Sequence, residues 1–116
     1  MDIEAVVARR LMEATGVRAF LEVPEESPDE FVTVEMTGGG GGFLDPARLD
    51  IDCWSAKGKG GRKRAAAIAE AVKAAVPDLD DEPDIFHPTV ENCYRMPDPD
   101  TGRPRYVVGI QVWICE

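Results

Sequence analysis

Apolar and polar positions alternate from Leu49 to Trp54, with Leu49, Ile51 and Cys53 on one side and Asp50, Asp52 and Trp54 on the other. A period of two with one polar face predicts a half-buried strand. From Ala65 the period lengthens: Ala65, Ile68, Ala69, Val72 and Val76 share one helical face, with Glu70 and Lys73 opposite, and Pro77 ends the run. The face is mostly alanine, so this helix can lie close to a sheet. An earlier helix is predicted over Ile3 to Thr15. Asp2 is its cap, Ile3, Val6, Val7, Leu11 and Ala14 form its stripe, and Gly16 is its stop.

Four further stretches read as strands. Ala19 to Val23 is short and apolar, and Phe31 to Thr37 alternates with Val32, Val34 and Met36 on one side. Thr89 to Met96 and Arg105 to Cys115 form a closing pair joined by the proline-pinned segment Pro97 to Pro104. The last strand is nearly all apolar, which predicts cover on both faces. The order helix, strand, strand, strand, helix, strand, strand predicts an α+β domain. It has an antiparallel or mixed sheet of about five strands and two helices packed on it.

The chain has 116 residues, which predicts one domain over 1–116. A chain of this size buries roughly 65% of its unfolded surface, enough for one modest core. The net charge of -9 argues against a grip on nucleic acid and against docking on an anionic membrane. The three cysteines, Cys53, Cys93 and Cys115, are odd in number and lack metal-ligand spacing, so reduced thiols are expected and no metal or cofactor is predicted. No basic start precedes an apolar run, and no apolar run approaches ~18 residues, so neither a signal peptide nor a membrane span is expected.

Four features could carry chemistry or contacts. Gly38, Gly39, Gly40, Gly41 and Gly42 form an uninterrupted glycine run, read as a mobile hairpin tip or as a loop that orders against a partner. Lys57 to Arg64 is a basic, glycine-rich loop between a strand and a helix. That context suits a phosphate-binding loop, but Lys59 is followed by Gly60 where a hydroxyl residue is required. Arg62, Lys63 and Arg64 stand at a helix N-terminus, where positive charge opposes the helix dipole, so an acidic partner in the same chain or a neighbouring subunit is expected. Asp78, Asp80 and Asp81 open an acidic segment without the glycine that a calcium loop needs. Trp54, on the polar side of its strand, is a candidate interface anchor, with core packing as the alternative. His87 has no second histidine, serine elbow or paired carboxylate near it in sequence.

The order of elements resembles the phage tail terminator (tail completion) proteins of long-tailed bacteriophages and prophages. The resemblance rests on the strand ending Cys53-Trp54-Ser55-Ala56, the helix carrying Ala69-Glu70-Ala71-Val72, and the closing strand Tyr106 to Ile114. The glycine run departs from that pattern. The resemblance implies a structural protein, not an enzyme. Such proteins form a six-membered ring on the head-proximal end of the tail tube, stop tube polymerisation and present a surface to the head connector. The implied partners are other copies of the chain, the tail-tube protein and the connector or neck protein. DNA is implied to pass through the lumen without specific binding. The implied location is the virion tail, assembled in the host cytoplasm. On this basis Arg62 to Arg64 are expected to meet Asp29 and Glu30, or Asp78 to Asp84, across subunits. A neck or head–tail joining protein of related fold, and a small nucleotide- or anion-binding module using Gly58 to Arg64, are the alternatives.

Overall fold

A computed structural model describes residues 1–39 and 45–115. In chain order it contains α1 (Ile3–Thr15), β1 (Ala19–Phe20), β2 (Phe31–Gly38), β3 (Ala47–Trp54), α2 (Gly61–Ala75), a 3-10 turn (Val76–Asp81), β4 (Ile85–Arg95) and β5 (Arg105–Ile114). The fold is α+β, with two helices and a five-stranded mixed sheet in the order β1-β2-β3-β5-β4. β1 runs parallel to β2; every other neighbouring pair is antiparallel.

The local chemistry explains the boundaries. Asp2 caps α1 by accepting from the Ala5 N–H at 3.2 Å, and Gly16 ends it in the left-handed region at φ 74°. The register pairs Val34 with Ile51 and Ile51 with Val108, so these residues share one sheet face. Ile3, Val7 and Leu11 of α1 and Ile68, Ala69 and Val72 of α2 join them in one buried cluster. Both helices therefore lie on the same face, and the alanine-rich side of α2 lets it sit close to β3 and β5. Among the described residues the opposite face carries no helix.

Two expectations need adjustment. The strand predicted over Ala19 to Val23 stops after Phe20, and Leu21 and Val23 are exposed. Apolar character alone does not hold a strand; β1 pairs with β2 only at Ala19–Val32 and Phe20–Thr33, where Val32 N–H also donates to the Arg18 carbonyl, and Pro24 follows soon after. β5 is an interior strand, yet only one of its faces is helix-covered. Its long apolar run reflects that interior place, and Gln111 and Trp113 on the helix-free side are half-buried.

Candidate functional site

α2 separates two unlike charged poles. At its start, Gly58 and Gly60 take positive φ values of 113° and 83°, which glycine alone adopts readily. Gly61 then packs so tightly that an added Cβ would stand 2.3 Å from the Ala56 carbonyl oxygen. This tight turn presents Lys57, Lys59, Arg62 and Lys63 to solvent, and among the described residues none of the four has an ion pair. Arg64 differs, because its guanidinium holds Glu30 of the same chain. The acidic partner expected for this cluster is thus met within the protomer for Arg64 only.

The other pole follows α2. Leu79 is buried and anchors the 3-10 turn, which leaves Asp78, Asp80 and Asp81 exposed. Glu82 is taken by Arg10 at 2.6 Å and Arg9 at 3.3 Å. A groove of about 200 Å³ lies beside the turn, lined by Arg10, Glu13, Asp78 and Asp81 together with Ala75 and Leu79. The 15 residues of α2 place the poles roughly 22 Å apart, so they cannot pair within one protomer.

The helix-free face holds a layer of aromatic and arginine side chains that the sequence did not announce. Phe20 meets Phe31 edge-on at 5.9 Å, and Phe31 stacks on Trp54 at 5.7 Å. Arg18 lies over Phe20, Arg103 over Phe31 and Arg105 over Trp54, at 5.1, 4.9 and 4.8 Å from the ring centroids. Trp54 does point to the polar side of its strand, but it is only 4% exposed, and its Nε1–H donates to Thr33 Oγ1 at 3.1 Å. Arg103 and Arg105 come from the segment around Pro104, some fifty residues downstream of Trp54, and no periodicity signals that they fold back.

Asp52 belongs to the same layer. Its carboxylate is 3.9 Å from the Arg105 guanidinium and faces Asp50 and Glu35. Burial pushes its pKa up to about 6, against the pull of Arg105 and the Thr33 hydroxyl and with help from Asp50 and Glu35. Burial also raises Asp50.

The remaining sequence candidates fall apart from these surfaces. Gly38 ends β2 and Gly39 has φ 69°, where a Cβ would strike the Pro46 carbonyl oxygen; Gly40, Gly41 and Gly42 lie outside the described residues. The three cysteines are free, and burial pushes the Cys53 thiol up strongly. Among the described residues no group of His, Cys, Asp and Glu is placed to hold a metal ion. Among the described residues no helix is long and apolar enough to cross a membrane.

Comparison with known families gives one match. The family model described as tail completion protein gp17 covers residues 30–115, which takes in β2 through β5 and α2. No curated protein matches the chain.

Proposed function

The chain belongs to the tail completion protein gp17 family, a structural family of phage tails, and from that membership we propose that it closes the tail tube as a ring of identical subunits. In this reading six copies sit on the head-proximal end of the tube. They stop its polymerisation and offer their outer surface to the head connector. The single observation that carries the reading is the family match across the whole of β2–β5 and α2.

The protomer's surface suits the role. A closed ring is built from a heterologous contact, which needs two different, complementary patches on every subunit. Arg62 and Lys63 at one end of α2, and Asp78, Asp80 and Asp81 at the other, form such a pair of unlike poles. We assign them to contacts with neighbouring molecules, the next subunit first. Arg64 supports this pole indirectly by tying it to Glu30. Trp54 acts in the same indirect way, as the platform under Arg105. The glycine run Gly38 to Gly42 is assigned to partner contact at the β2–β3 end. The net charge of -9 keeps DNA phosphates from adhering to a lumen through which DNA passes.

Light scattering after size exclusion, over a wide concentration range, tests the ring. The expected result is a discrete species at six times the 12.7 kDa protomer mass, with rings in negative-stain images. A protomer that stays monomeric throughout, and does not co-purify with the tail-tube protein, would overturn the proposal.

A further inference from the structure

Resting on that ring reading, we infer that subunits join edge to edge through two unlike apolar patches. The β4 edge of one copy meets the β1–β2 edge of the next. The inference comes from where exposed apolar side chains fall. Phe86, Val90 and Tyr94 on β4, and Met96 just after it, are 38% to 46% exposed. Leu21 and Val23, just after β1, and Met36 on β2 are 38% to 54% exposed. β4 is the outermost strand on one side of the sheet. β1 is outermost on the other, and it covers β2 only at Val32 and Thr33, so Met36 lies beyond its reach. The interior strands β3 and β5 contribute no large exposed apolar side chain. A monomer has no use for apolar groups gathered on opposite flanks, whereas scattered single ones need no explanation.

The geometry also points to the occupant, a second copy of this chain. Two different patches on opposite edges meet each other only head to tail, and such a contact repeats from copy to copy and forms a ring where its rotation closes. Charge is complementary at one end of the contact: exposed Glu22, Glu25 and Glu26 surround Leu21 and Val23, and exposed Arg95 lies between Tyr94 and Met96, whereas exposed Glu91 beside Val90 stands farther along β4. Among the described residues Glu22, Glu25, Glu26 and Arg95 have no ion pair.

The contact is made by side chains, not by adding strand to strand. His87 takes a positive φ of 48°, Pro88 follows it, and the register slips between Phe86 and Thr89 and again between Val90 and Asn92. On the other flank the Met36 N–H is already taken by Glu4 at 2.8 Å. Bulges, proline and a capped N–H are devices that stop main-chain pairing at an edge. They leave the apolar side chains in place while preventing runaway sheet growth.

The test uses two double variants of exposed residues. Leu21→Lys with Val23→Lys spoils one flank, and Tyr94→Glu with Met96→Glu spoils the other. Unchanged circular dichroism and melting temperature show that each still folds. Sedimentation velocity is then run on wild type, each variant, and an equimolar mixture at high concentration. Wild type is expected as the closed ring, each variant alone as a monomer, and the mixture as a one-to-one dimer with nothing larger. Each variant keeps one good flank, so the mixture can make one contact per pair. Variants that retain the wild-type ring mass would overturn the edge assignment and leave the ring itself standing. A mixture that stays monomeric would overturn the head-to-tail pairing. A monomeric wild type would remove the ring and the edge contact together.

Discussion

Asp52 is the residue whose environment most opposes its charge. It lies on the helix-free face, with Arg105 as its counter-ion and Asp50 and Glu35 as like-charged neighbours. Its folded pKa of about 6 stands above an unfolded value near 3.9. A raised pKa means the folded state binds the proton more tightly. The stability it contributes is complete below the unfolded value and lost as pH rises through about 6. At pH 7 the ionised carboxylate is therefore a net burden. Asn reproduces the neutral form, so Asp52→Asn is expected to raise stability at pH 7 by about 1–3 kcal/mol. That advantage shrinks toward zero as pH falls from 7 to 4. Denaturant unfolding of both proteins across this range measures it, and two curves that stay parallel would show that Asp52 titrates normally.

Among the elements, the β4–β5 connection is tied to the β1–β2 loop by one side chain, beside its own internal hydrogen bonds and the Ser55 N–H that donates to the Pro104 carbonyl. Arg103 donates from Nε to the Ser55 carbonyl at 2.9 Å, and from its terminal nitrogen to the carbonyls of Pro28 at 2.5 Å and Asp29 at 2.9 Å. It thus ties the connection to the ends of β3 and of the β1–β2 loop while lying over Phe31. Arg103→Ala removes a charged donor from three carbonyls, which is expected to cost about 2–3 kcal/mol. Arg103→Lys is expected to rescue little, because a point charge cannot span the three acceptors. Thermal melts report the loss, and hydrogen exchange should speed up near Phe31 and in the Pro97 to Pro104 segment. An alanine variant as stable as wild type would show the segment to be held by its prolines instead. This layer marks where the sequence stopped being legible. α1, β2, β3 and α2 could be read directly, because burial on one face forces a local period: Ile3, Val7 and Leu11 for a helix, Leu49, Ile51 and Cys53 for a strand. β1 was overestimated because Leu21 and Val23 look like core and are in fact surface. Trp54 read as a candidate interface anchor, with core packing as the alternative, because its cover arrives from Arg105, a contact across about fifty residues that no local pattern encodes. The charged poles were legible as clusters, but their separation by the length of α2, and the capture of Arg64 by Glu30, required the fold.

At the scale of the whole molecule, the proposed ring divides the work of assembly between apolar flanks and charged poles. The flanks supply buried area, which is insensitive to salt, and the poles supply orientation and encounter rate, which are not. Reversing Arg62 and Lys63 to Glu separates the two. Both are exposed and have no ion pair among the described residues, so the fold should be untouched, whereas Arg64 is left alone because Glu30 depends on it. The change takes the net charge from -9 to -13, two units for each reversal. At low salt the variant is expected to need about tenfold more protein to assemble, the equivalent of about 1.4 kcal/mol per contact. Near 1 M salt, where the Debye length falls to about 3 Å, the difference should nearly vanish. Light scattering over a grid of protein and salt concentrations reads both effects. A variant that assembles like wild type at every salt would remove the poles from the subunit contact and leave the apolar flanks to account for it alone. A variant defective at every salt would mean that Arg62 and Lys63 contribute through packing and not through charge.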